Sequence, residues 1–142
     1  MPLVDAPPTF RLLLANELAR RCLRNPRYSL RAFARALGTD HASLSQIIRG
    51  RRRALTRNTV RRLGRALRLD AHTIERYCDG TVIDLLARDT FRPDSRWIAL
   101  AQQASIDEVN ISLQRLLCEG ALHMASTTDW HAHPRTSSQS VP

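Results

Sequence analysis

Within six consecutive residues this chain sets His41, Ala42, Ser43, Ser45 and Gln46, just ahead of Arg49 and the run Arg51-Arg52-Arg53. None of these side chains makes or breaks bonds in that company; what they offer is hydrogen bonding and charge. The carboxamide of Gln46 donates and accepts at once, so it can pair with both groups that adenine shows in the major groove. Ser45 can do either, and the methyl of Ala42 can touch a thymine methyl. Guanidinium groups match phosphate oxygens in pairs, and Arg49, Arg51, Arg52 and Arg53 are followed by Arg57 and Arg61 one helical turn apart.

Other chemistries find little support. His131 and His133 form an HxH, with His123 and Asp129 near in sequence, but no cysteine or carboxylate cluster joins them. No metal or cofactor is expected. His72 opens a surface helix and carries no assignment. There is no glycine-rich phosphate loop, nucleophile elbow or paired-carboxylate motif, so the chain does not read as an enzyme. Cys22, Cys78 and Cys118 are far apart and odd in number, which fits reduced, mostly buried thiols in a cytoplasm. No apolar run reaches membrane-spanning length, and no small-molecule effector is evident.

Charge is unevenly spread along the 142 residues. The net charge is +9, and every one of the 22 basic residues is arginine. From Leu18 to Leu69 there are 15 arginines and a single acid, Asp40; from Asp70 to Asp129 ten acids face five arginines. A positive field concentrated in one half is what a polyanion attracts, since each neutralised phosphate releases counterions.

The elements that must position these groups follow from apolar spacing. Phe10, Leu14, Leu18 and Cys22 predict an amphipathic helix from about Thr9 to Arg24, ended by Asn25-Pro26. Ser29 can cap a second helix on which Leu30, Phe33, Ala34 and Leu37 share a face, and Gly38 can end it in the left-handed conformation. Asp40 can cap a third, about His41 to Arg49. There Leu44, Ile47 and Ile48 take the buried arc and leave Ala42, Ser45, Gln46 and Arg49 outward. Ala34 is the expected point of close approach. Thr56 can cap a helix to Arg68 with Val60, Leu63 and Leu67 on one arc, Gly64 for close contact, and Arg57, Arg61, Arg65 and Arg68 as a separate stripe. Asp70 caps a short helix through Tyr77, and Asp79-Gly80 marks an expected module boundary.

Ala34, Gly38, the Leu44/Ile47 pair, Gly50 with its basic run, and the amphipathic helix ending in ALRLD resemble the helix-turn-helix of phage-repressor and Cro-type bacterial regulators. The resemblance implies a five-helix module over residues 9–79 that binds double-stranded DNA as a dimer. It also implies base reading from the start of the third helix, at His41, Ala42, Ser43, Ser45 and Gln46. Phosphate contacts are expected from the opening of the second helix at Ser29, Leu30 and Arg31, and from Arg49, Arg51, Arg52, Arg53, Arg57 and Arg61.

Beyond Gly80, apolar runs predict helices around Val82 to Leu86, from Asp94 through Trp97, Ile98 and Leu100, and from Ser105 through Leu117. Ser105 and Glu108 have capping-box spacing. Gly120 precedes a hairpin of Ala121 to Met124 with Asp129 to His131. WIALAQQASIDEVNISLQRLLCEGAL is similar to the winged-helix-like segment of two-part bacterial regulators, which gives an all-α chain with a winged-helix-like second segment (80–131) and a short β-hairpin. Asp107 and Glu108 open its third helix and would repel phosphate, so self-association, through Val82, Leu86, Trp97 or Leu117, is the expected role. Residues 1–8 read as a flexible arm and 132–142 as a disordered tail. Two other functions stay open: RNA binding, although the basic half offers only Tyr28 and Phe33 for stacking, and an adaptor or antitoxin-like role with secondary DNA binding.

Overall fold

Residues 9–50 and 55–132 are described by a computed structural model. Their helices are α1 (Phe10–Arg24), α2 (Leu30–Leu37), α3 (His41–Ile48), α4 (Arg57–Ala66), α5 (Ala71–Leu86), α6 (Ser95–Gln102) and α7 (Ile106–Cys118). A hairpin of β1 (Leu122–Met124) and β2 (Trp130–Ala132) follows. The described chain is thus all-α apart from one small antiparallel ribbon, as expected.

Most helix starts are written in the local sequence. Oxygens of Ser29, Asp40, Thr56, Asp70 and Ser105 accept from the backbone N–H three residues on, at 2.7–3.2 Å, and Asp94 accepts from Arg96 at 3.0 Å. Each such cap is worth about 1 kcal/mol, because the first turn has amides with no helical acceptor. Gly38 ends α2 at φ 72°, and the following amide, that of Thr39, closes onto the Ala34 carbonyl at 3.0 Å. A side chain would be strained at that φ.

The first core joins α1 to α5 through Phe10, Leu14, Phe33, Ala34, Leu37, Leu44, Ile47, Val60, Leu63, Ile74 and Cys78, all buried. Leu69 packs against it from the side. Gly64 lets α4 and α5 close up: a Cβ there would lie 2.9 Å from Cγ1 of Ile74. A second core holds Val82, Leu85, Ile98, Ala99, Val109, Leu113, Leu116, Ala121 and Leu122.

The helix expected to end at Tyr77, ahead of a module boundary at Asp79-Gly80, runs on past both residues. α5 runs unbroken from Ala71 to Leu86, and the two cores divide along it between Cys78 and Val82. An Asp-Gly pair signals a turn when its carboxylate is free to bond local backbone. Here Asp79 is buried, and its carboxylate accepts from Arg115 Nε and Nη2 at 2.8 Å each and from Ser112 Oγ at 2.6 Å.

Both strands of the hairpin start one residue later than expected, with Leu122 opposite Ala132, His123 opposite His131, and Met124 opposite Trp130. Ala132, assigned to the tail, belongs to β2. The expected arm (1–8), Arg51 to Arg53 and the rest of the expected tail (133–142) lie outside the described residues. Of the thiols expected to be mostly buried, Cys78 is buried, Cys22 half-buried and Cys118, at the end of α7, exposed.

Candidate nucleic-acid interface

α3 is held from below and at both ends. Leu44 and Ile47 are buried in the first core. Asp40 caps the start, and at the far end Arg11 Nη1 donates to the Ile48 carbonyl at 3.5 Å, beside Gly50 at φ 72°. Anchoring every third or fourth residue turns the opposite arc outward. Ala42, Gln46 and Arg49 form an exposed line along that arc, one helical turn apart, with His41 exposed at its start. Ser43 and Ser45 are half-buried at its edges. Of the residues expected to read bases, His41, Ala42 and Gln46 are exposed, whereas Ser43 and Ser45 flank them at the edges of the buried arc.

α2 packs against α3. The Ser29 hydroxyl is occupied by the Ala32 amide at 3.1 Å, and Leu30 packs against the core. What they offer an anion is the backbone: the first amides of a helix point outward with no acceptor and carry its positive dipole end. Arg31 and Arg35, one turn apart on α2, are both exposed and form no ion pair among the described residues. Arg21 by contrast is spent on the scaffold. It donates to Glu17 at 2.8 Å and to the Tyr28 hydroxyl at 3.0 Å, and lies 5.1 Å from the Phe33 ring centre.

The arginine stripe on α4 does not face outward as one unit. Arg57, expected to meet phosphate, is buried at 1% exposure, and its Nη1 donates to the Cys78 carbonyl at 3.3 Å. Glu75, Asp79 and Glu108 lie 3.6, 3.9 and 3.7 Å from its guanidinium. Arg61 is also committed, to Glu75 at 3.3 Å and to Glu108. Neither is available to a backbone phosphate. Arg65 remains exposed, and Arg68 lies beyond the helix at φ 62°.

Three arginines and three acids thus neutralise one another between the two cores: Arg57 and Arg61 from α4, Glu75 and Asp79 from α5, Glu108 and Arg115 from α7. Burial works against the charge of Arg61, but its bonds to Glu108 and Glu75 outweigh it and raise the pKa. Hydrogen bonding from Arg61 holds Glu108 below the ordinary carboxylate range. The bond to Asp79 raises Arg115. Half of the expected capping box is therefore present: Ser105 accepts the Glu108 amide, but the Glu108 carboxylate turns to Arg61 instead of back to the cap.

Arg62 was not singled out in the sequence. It is exposed, and its Nη1 donates to the Gly38 carbonyl at 3.3 Å, so a cation of α4 reaches the α2–α3 turn. Its only signal is its place one residue after Arg61, which turns inward. In the hairpin, His131 bonds Asp129 at 2.7 Å, and His133 lies outside the described residues. No helix among the described residues is long and apolar enough to cross a membrane.

No curated protein and no solved structure matches the chain. A family model described as a helix-turn-helix domain matches residues 13–83, half of the sequence and the whole of the α2–turn–α3 unit. With two short capped helices meeting at Gly38 over a shared core, the chain belongs to this helix-turn-helix family.

Proposed function

We propose that the protein is a sequence-specific double-stranded DNA-binding regulator of transcription. The exposed line Ala42–Gln46–Arg49 on a helix pinned at both ends carries this reading. A helix fits the major groove, where every base pair shows a distinct pattern. Gln46 pairs with adenine, Ser45 and Ser43 bond at the edges, Ala42 meets a methyl group, and His41 works at the helix start. The amides of Ser29, Leu30 and Arg31, with Arg31, Arg35, Arg49 and Arg62, hold phosphate. Arg51 to Arg53 are assigned to phosphate on their charge alone.

The division of labour runs along α5. Residues 9–79 bind DNA, and the second half, a winged-helix-like unit of α6, α7 and the hairpin, does not. In such a unit α7 would enter the groove. Here the carboxylate of Glu108 in its first turn is engaged with Arg61, and Asp107 beside it would repel phosphate. One reading helix gives modest affinity, so the protein acts as a homodimer on paired half-sites.

Selection of bound duplexes from a random pool tests the proposal. A recurrent motif containing adenine, lost on mutation of α3, is the expected result. Equal affinity for every duplex, or tighter binding to single-stranded RNA, would overturn it.

A further inference from the structure

α7 carries an outer face low in charge for an arginine-rich chain. Of its exposed residues Ile106, Asp107, Asn110, Ile111, Gln114, Leu117 and Cys118, only Asp107 is charged. Ile106, Ile111 and Leu117 are 44%, 52% and 39% exposed. The residues expected to serve self-association divide sharply: Val82 is fully buried, Leu86 and Trp97 pack on the second core, and Leu117 alone is exposed. Met124 and Trp130 of the hairpin flank the face, making two open grooves of about 640 Å³ each on either side of them. Depletion of charge around exposed aliphatic side chains marks a surface that meets protein.

We infer that this face pairs with the same face of a second copy. This rests on the reading above, that the protein works on DNA in pairs. Two observations select a second copy as the occupant. A residue on a two-fold axis meets itself, so a charge there is repelled, whereas a carboxamide, donor and acceptor together, bonds its own copy. Gln114 holds the middle of the face, one turn from Asn110, whose Oδ1 already accepts from Ser95 Oγ at 2.7 Å. The rim is self-complementary as well. Asp107 borders one groove and Arg96 the other; both are exposed, and neither forms an ion pair among the described residues. In a two-fold pair the Arg96 of each protomer can meet the partner's Asp107.

Sedimentation equilibrium of the full chain without DNA tests this. The wild type should be a dimer. Gln114→Glu sets two carboxylates face to face and should weaken the dimer about tenfold or more, while an unchanged far-ultraviolet circular dichroism spectrum shows that the exposed position left the fold intact. Arg96→Asp and Asp107→Arg should each weaken it, and the double variant should restore it. A monomeric wild type, a Gln114→Glu dimer as tight as the wild type, or a double variant without restoration would overturn the inference. A dimer that binds no duplex sinks the DNA reading and leaves this one standing; a monomer that binds duplex does the reverse.

Discussion

Arg61 on α4 donates to the carboxylate of Glu108 at the start of α7, 47 positions further along the chain. The bond joins the helix-turn-helix half to the second half and takes an arginine out of the solvent-facing charge. It also separates the arginines that stabilise this protein from those that face solvent.

Arg57 and Arg62 should therefore behave oppositely. Arg57→Ala empties a buried site and removes the bond to the Cys78 carbonyl, while Glu75, Asp79 and Glu108 keep Arg61 and Arg115, and is expected to cost about 2–5 kcal/mol of stability. Arg62→Ala should leave the melting temperature nearly unchanged and flatten the log–log salt dependence of duplex binding by about one unit. Denaturant melts and salt titrations measure the two effects. A stable Arg57→Ala protein with a flatter salt slope would restore Arg57 to the phosphate contacts.

Gln46→Ala is expected to lose about 1–3 kcal/mol at the selected site and relax preference at one base pair, with nonspecific binding little changed. Binding isotherms on the matched and mismatched duplex decide it. Uniform weakening on all sequences would mean that Gln46 does not face the bases.

Arg68 sits at φ 62°, where its amide bonds the Arg65 carbonyl at 2.9 Å and the next amide reaches Gly64 at 3.0 Å. A Cβ in this conformation costs about 1–2 kcal/mol. Glycine removes that cost but loses roughly 0.5–1 kcal/mol of chain entropy. Arg68→Gly should raise stability by about 0.5–1 kcal/mol. A lower melting temperature would show that the Arg68 side chain contributes more than its strain costs.

Glu108 provides a pH test. Its folded pKa is held below the ordinary 4.5 by hydrogen bonding from Arg61. Its stabilising effect is therefore complete above about 4.5 and is lost as pH falls through the folded value. The wild-type melting temperature should drop through that acid range, and Glu108→Gln, less stable at neutral pH, should drop less. Parallel pH profiles for the two proteins would remove Glu108 from the acid response.

What the sequence determined by itself is local. Ser29, Asp40, Thr56, Asp70, Asp94 and Ser105 bond backbone within three residues, and Gly38 meets a conformational demand of its own position, so helix starts and the turn were legible from neighbours alone. Periodicity also identified the buried arc of α3 and hence its outward face. Tertiary structure decided what each face meets. Arg57 and Arg61 lie one turn apart like any solvated stripe, and the acids that claim them come from α5 and α7. The same packing buried Asp79 against Arg115 and Ser112, which carried α5 through an Asp-Gly pair that reads as a turn. A helical period tells which side chains share a face, but the charge opposite that face depends on which helices pack together, and that is a property of the folded chain.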